Sequence, residues 1–221
     1  MNKKEISKCI IYTKLESNVT KEDVANMCDE ATNNGYYSIC VNPKYVDFAK
    51  ECLEDLNSKV KLTTPIGYPL GETSQEIKAM EAVMAKESGV NELEVVPSMS
   101  AILVANYEYV YEEIKRIVDC TEIPVKVILE TSMLTDEQIL RTCEVCIDAG
   151  VKIIKTNTIL SKNNASMECV KLISDAVAGI CEVNAGNHIQ DIDTFYDIMS
   201  AGATKVSTDN PSDILKSFDK K

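Results

Sequence analysis

The chain has 221 residues, with 35 Asp plus Glu against 23 Lys plus Arg, a formal net charge of -12 and 45% hydrophobic residues. This describes an acidic globular protein with enough apolar material for a sizeable core. The charge argues against nucleic acid or an anionic membrane as partner, because both would repel it. No stretch approaches the roughly 20 apolar residues of a membrane span, and MNKKEISKCI lacks the apolar centre of a signal peptide, so a cytoplasmic location is expected.

In chain order, a β-rich run at 9 to 13 (CIIYT) leads to a helical segment at 21 to 33 that stops at Gly35. A strand at 37 to 41 (YSICV) leads to a helix at 44 to 56, and one at 59 to 64 (KVKLTT) to a helix at 73 to 88 closed by Gly89. Strands at 92 to 96 (ELEVV) and 124 to 130 (PVKVILE) precede helices at 106 to 119 and 135 to 149, the latter ending at Gly150. The last three pairs are 151 to 155 (VKIIK) with 164 to 178, 180 to 184 (ICEVN) with 191 to 200, and 204 to 208 (TKVST) with 211 to 218. Thr135 ahead of Asp136, Glu137 and Gln138 has the form of an N-cap, and Asn210 sets Pro211 at a first helical position. The three glycines suit left-handed closing positions. Strand and helix alternate eight times without a linker, which is the pattern of a single-domain (β/α)8 TIM barrel over residues 1–221, with a doubly wound open sheet as the weaker reading.

Nine cysteines, odd in number and scattered through apolar periodic segments, read as reduced, buried thiols. Cys143 and Cys146 form a C-E-V-C pair with no second pair, and the single histidine, His188, is far off in sequence. Buried helix-face cysteines are therefore favoured over a zinc or redox site, and no metal is expected.

Side chains alternate faces along a strand, and a barrel strand has one face under helices and one lining the interior. In 92 to 96, Leu93 and Val95 oppose Glu92, Glu94 and Val96; in 124 to 130, Val125, Val127 and Leu129 oppose Lys126, Ile128 and Glu130. In 180 to 184, Cys181 and Val183 oppose Glu182 and Asn184, and in 151 to 155 Lys155 falls on the face of Ile153 while Lys152 lies on the other. With the apolar sets under helices, Glu94, Lys126, Glu130, Lys155 and Asn184 share the interior, mostly near the C-terminal strand ends where barrel active sites are built. A lysine among interior charges is a candidate carbonyl nucleophile, because burial and neighbouring cations favour its free amine. The rival reading of Lys155 is a structural ion pair with Glu94 or Glu130 that does no chemistry.

From ICVNPKYV around Cys40, through TTPIGYPLGETSQEIKAMEA from Thr63, GVNELEVVPSMSAI from Gly89, PVKVILET from Pro124 and GVKIIKTNT from Gly150 to AGATKVST from Ala201, the chain resembles the deoxyribose-phosphate aldolase family. The stretch P-I-G-Y-P-L-G followed by K-A-x-E-A is the most specific part. The resemblance implies a barrel enzyme that cleaves 2-deoxyribose 5-phosphate reversibly to acetaldehyde and glyceraldehyde 3-phosphate through a lysine Schiff base. It places the Schiff-base lysine at Lys155 and a proton-relay carboxylate at Glu94, where the family has aspartate. It also sets Thr158, Glu130 and Lys126 near the site, with scaffolding as their rival role. An imine supplies the electron sink, so neither a cofactor nor a metal is implied, and the partner is a small aldehyde or sugar. Barrels of this family often pair, making a homodimer the assembly to test for, although no heptad seam is present.

Three departures stand at the mouth. The family's second lysine, in V-K-A-S-G-G-(I/V)-R, is Asn184 in V-N-A-G-N-H-I-Q, and a neutral amide supplies no electrostatic depression of the first lysine's pKa. The phosphate-binding turns are altered: Ile159 replaces a glycine, Asn187, His188 and Gln190 replace two glycines and an arginine beyond Gly186, and G-T-S-S becomes Ser207 to Asn210. Asp209 then puts a carboxylate at a helix N-terminus where a phosphate would sit, while a protonated His188 would partly compensate. The I-D-H-T-L-L pattern of the first strand reads IIYTKL, with Ile11 and Tyr12 in place of Asp and His. Cys40 is retained, and a small buried thiol is its favoured reading. Three functions compete: a deoxyribose-phosphate aldolase, a class I aldolase for a non-phosphorylated aldehyde or sugar, and a silent barrel that binds a metabolite or a partner protein.

Overall fold

The computed structural model describes residues 1–159, 161, 166–186 and 189–219. Strands β1 (Ile10–Lys14), β2 (Ser38–Val41), β3 (Lys61–Ile66), β4 (Glu92–Val95), β5 (Val125–Ile128), β6 (Ile153–Lys155), β7 (Glu182–Gly186) and β8 (Lys205–Thr208) pair in parallel in chain order, and β8 returns to β1. This is the closed (β/α)8 barrel that the alternation predicts. Around it run α2 (Lys21–Asn34), α3 (Val46–Asp55), α4 (Gln75–Glu87), α6 (Tyr107–Thr121), α7 (Asp136–Ala149), α8 (Met167–Val177), α9 (Ile192–Ser200) and α10 (Pro211–Phe218).

Local chemistry sets these boundaries. Thr135 and Gln138 form a reciprocal capping box at the start of α7, which closes on Gly150 at φ 90°. Gly35 closes α2 at φ 67°, Gly89 follows α4 at φ 94°, and Asn210 is the N-cap of α10 with Pro211 in its first turn. Two helices lie outside the expected set: α1 (Lys3–Ser7), capped by Asn2, and α5 (Met99–Leu103), capped by Ser98. Helices of five residues span too little chain for a 3.6-residue period to be read. The strand expected through residue 130 ends at Ile128, because Glu130 takes the left-handed region (φ 52°, ψ 56°) and Thr131–Met133 turns as a 3₁₀ helix.

Two separate apolar layers follow from strand alternation. The outward set, including Tyr12, Ile39, Leu93, Val95, Val125, Val127, Ile154 and Val183, joins the helices in one continuous core. A smaller interior cluster consists of Ile11, Leu15 and Cys40, with Tyr37, Tyr68 and Ile159 packed against it. Ile11 thus lines the interior whereas Tyr12 lies under helices, edge-on to Tyr36 at 6.3 Å. The N-terminal floor of the barrel is stitched by charge: Lys61 Nζ meets Glu92 at 2.6 Å, Lys205 Nζ meets Glu182 at 2.8 Å, and both ammoniums lie over the Tyr37 ring.

Candidate active site

The interior wall can be followed strand by strand through the pairing register. Glu94 stands beside Lys126, Lys126 beside Ile153, Ile128 beside Lys155, Lys155 beside Asn184, and Gly186 beside Ser207. Lys155 is therefore one pleat nearer the C-terminal mouth than Lys126. A lysine stem is long enough to reach back across that step, so both ammoniums converge on one carboxylate. Lys126 Nζ donates to Glu94 Oε1 at 2.7 Å and Lys155 Nζ donates to Glu94 Oε2 at 2.7 Å, with all three side chains buried.

This cluster carries one more positive charge than Glu94 neutralises. Burial alone would push the Glu94 carboxyl up, but the Lys126 and Lys155 ammoniums outweigh it and hold the group down at about 2. Burial likewise works against charge on Lys126, yet Glu94 and Glu92 raise its pKa above the ordinary lysine value. Lys126 is thus a resident cation in the floor of the site. The sequence left Lys155 to pair with either Glu94 or Glu130; the partner is Glu94.

Glu130 instead organises the turn after β6. Its left-handed backbone aims the side chain so that Oε2 accepts the Thr158 N–H at 2.9 Å, while Thr131 Oγ1 donates to Asn157 Oδ1 at 2.8 Å. Thr158 is thereby held three residues beyond Lys155, buried at the mouth. Asn184 is fully buried, and its Oδ1 accepts from Ser207 Oγ at 3.0 Å, tying β7 to β8. Gly186 donates its N–H to Thr156 Oγ1 at 3.0 Å and packs directly beside the Lys155 stem. Cys40 is buried in the interior, and its thiol is pushed up to about 12, by burial first and the Glu94 charge second. It is no nucleophile in that state.

At the start of α10 the expected occupant changes. Asp209 precedes the N-cap, and the carboxylate engaged there is Asp213, which accepts from Asn210 Nδ2. An anion within the helix's own first turn already meets the dipole. His188 lies outside the described residues, as does Asn187.

The motif P-I-G-Y-P-L-G with K-A-x-E-A has a structural role that spacing did not reveal. Lys78 and Glu81 are its lysine and glutamate, both on α4. Lys78 Nζ is fully buried, donating to Glu113 Oε1 at 2.7 Å and to the Val96 carbonyl at 2.9 Å, and Glu81 Oε2 accepts the Gly67 N–H at 2.8 Å. Gly71 N–H closes back on the Gly67 carbonyl at 2.8 Å, with a Cβ at Gly71 excluded by the Pro97 carbonyl oxygen 2.0 Å away. This braced turn presents Tyr68, a residue absent from the sequence-based set. Next to it, a cavity of about 850 Å³ is lined by Leu70, Met99, Leu103, Met133, Glu130 and Thr158, among others.

A closed parallel barrel with two buried lysines on one carboxylate at its C-terminal half is the architecture of a lysine-centred barrel enzyme. The model of the DeoC/LacD family aldolases matches residues 10–216, and the chain belongs to that family. The deoxyribose-phosphate aldolase of Caldicellulosiruptor saccharolyticus is 42% identical over 212 residues, covering 94% of this chain and 96% of that protein. That of Thermococcus kodakarensis is 37% identical over 219 residues, 98% of each chain. The solved deoxyribose phosphate aldolase from Aeropyrum pernix, described as a unique tetramer, superposes with a TM-score of 0.92 at 29% identity, covering 99% of this chain and 92% of that one.

Proposed function

We propose that this chain is a class I aldolase that binds its substrate as an imine on Lys155 and cleaves 2-deoxyribose 5-phosphate to acetaldehyde and glyceraldehyde 3-phosphate. The observation that carries the reading is the pair of buried ammoniums, Lys126 and Lys155, held on the single carboxylate of Glu94. Lys126 supplies the fixed positive charge that the family resemblance assigns to the position of Asn184, one strand away from Lys155 on the opposite side.

In this scheme the Lys155 ammonium first gives up a proton, the free amine adds to the aldehyde carbon, and a proton returned to the carbinolamine hydroxyl lets water leave, giving an iminium. Glu94 takes the proton of the C3 hydroxyl. The C2–C3 bond then breaks, its electrons flow into the iminium, and glyceraldehyde 3-phosphate departs from the enamine. Protonation at C2 and hydrolysis return acetaldehyde and the free lysine. Glu94 then hands this proton to C2 of the enamine, which regenerates the carboxylate within the turnover.

A second reading, an aldolase for a substrate without the terminal phosphate, draws on Ile159. The side chain that replaces a glycine in the resemblance packs against the interior apolar cluster of Ile11, Leu15 and Cys40. A homodimer and a cytoplasmic setting complete the proposal. The nine cysteines are free thiols, as a reducing compartment would leave them, and no helix among the described residues is long and apolar enough to cross a membrane.

Borohydride reduction in the presence of acetaldehyde or 2-deoxyribose 5-phosphate, followed by peptide mass spectrometry, tests the reading. An adduct on Lys155 from both compounds, absent in Lys155→Met, is expected. An adduct from acetaldehyde alone would transfer support to the phosphate-free substrate. No adduct at any pH up to about 9, where an ordinary lysine is already partly free amine, would leave only a binding barrel.

A further inference from the structure

Tyr68 follows β3 by two residues, in the turn braced by Glu81 and closed between Gly67 and Gly71. Its ring packs against the interior cluster of Ile11, Leu15 and Cys40, on the lining of the barrel rather than beneath the helices. The hydroxyl at its tip is buried and has no hydrogen-bond partner among the described residues. The turn leaves the C-terminal end of β3, the neighbour of the strand that carries Glu94, so this oxygen lies on the β3 side of the barrel mouth, across the barrel from β7.

A buried phenol oxygen without a partner is unfavourable by the full desolvation of the group, and such atoms in native structures call for an explanation. The turn that carries Tyr68 is tightly braced, which fixes where its side chain enters the barrel mouth. Burial, with Cys40, Glu94 and Glu130 adding to it, pushes the phenol well above its ordinary pKa, so it is an O–H donor and not a base across the neutral range. A neutral hydroxyl can donate to or accept from an alcohol, and alcohols are the groups that an open-chain sugar carries beyond its aldehyde.

We infer that Tyr68 is a specificity-determining residue whose phenol hydroxyl hydrogen-bonds a hydroxyl of the open-chain sugar while Lys155 holds the aldehyde end. The inference rests on the aldolase reading and extends it to the part of the substrate beyond the reacting bond. It is independent of the phosphate. The ring packs with apolar neighbours as a wall, and the hydroxyl gives that wall a hydrogen-bonding point, so it selects polyhydroxy substrates over plain aldehydes.

Tyr68→Phe keeps the ring and deletes only the oxygen. Cleavage of 2-deoxyribose 5-phosphate and of 2-deoxyribose is expected to lose about tenfold or more in kcat/KM, while borohydride trapping of acetaldehyde, which has no hydroxyl, stays at the wild-type level and the melting temperature is unchanged or higher. Calorimetric binding of 2-deoxyribitol 5-phosphate, which carries the hydroxyls but no aldehyde and forms no imine, is expected to weaken by a similar factor. Unchanged cleavage and unchanged affinity would overturn the inference, as would a parallel loss of acetaldehyde trapping, which would mark Tyr68 as merely structural. Because the alcohol-binding arm needs no imine, it decides the role of Tyr68 even if Lys155 proves unreactive.

Discussion

Gly186 lies against Lys155 so closely that a Cβ on the glycine would stand 3.1 Å from Lys155 Cε and 2.5 Å from the carbonyl oxygen of Asn157. The lysine stem can turn aside, but the backbone carbonyl of Asn157, just beyond β6, cannot do so freely, so a side chain at 186 pushes β7 away from that segment. Gly186→Ala is expected to cost about 1–3 kcal/mol of stability and about tenfold or more in kcat, because the amine moves off its position over Glu94. Thermal unfolding and steady-state cleavage measure the two effects; a variant with wild-type kcat would show that the approach is not needed for the chemistry.

The two-lysine grip on Glu94 makes stability depend on acid. A carboxyl whose folded pKa is depressed contributes stability that is fully present above its ordinary 4.5 and is lost as pH falls toward about 2. The gap corresponds to about 3 kcal/mol. Glu94→Gln leaves two buried ammoniums without a counter-charge and should be less stable by about 3–5 kcal/mol at pH 6. Denaturant titrations of both proteins from pH 6 downward should converge as the pH drops. Subtracting the two curves removes Glu81 and Glu113, which burial shifts in the opposite direction. Parallel curves would contradict the depressed carboxyl.

Asn184 and Lys155 are register partners on adjacent strands. Asn184→Lys would add a third cation to an interior whose Glu94 is already shared, and like charges favour loss of a proton. The rising limb of kcat/KM against pH should move to lower pH by about one unit for each 1.4 kcal/mol of repulsion, with a melting temperature lower by a few degrees as Ser207 loses its acceptor. A pH profile superimposable on wild type would mean that Lys126 already supplies all the charge the site can use.

Among the thiols, Cys120 is exposed, while burial holds Cys40 and Cys143 at about 12 and Cys146 well above its ordinary value. Iodoacetamide at pH 7.5 should label Cys120 first and leave the other three untouched until the barrel unfolds. Early labelling of Cys40 would reveal an open path to the interior from solvent.

Much of this molecule is legible in short stretches of chain. Alternation in ELEVV and PVKVILE is enough to put Glu94 and Lys126 on the inner face, and Thr135 with Gln138 or Asn210 with Pro211 mark helix starts, because these signals act between residues within about four positions of one another. The resemblance of IIYTKL to a strand with an interior acid correctly marks a loss, since Ile11 lines the barrel and Tyr12 does not. The orphan hydroxyl of Tyr68 is different: the motif around it is visible, but its burial depends on Glu81, Gly71 and Cys40 meeting from separate elements.

By itself the sequence determined the barrel, the inward set of charged residues and the lysine to watch. The tertiary structure alone decided which carboxylate that lysine meets. Lys155 reaches Glu94, 61 residues away, rather than Glu130 on the neighbouring strand's end. The stagger of a closed barrel sets which pleats share a level, and the left-handed turn at Glu130 points its carboxylate at the Thr158 amide instead. Neither the stagger nor that turn is written in the pattern of any one segment; both arise only when eight strands close on themselves.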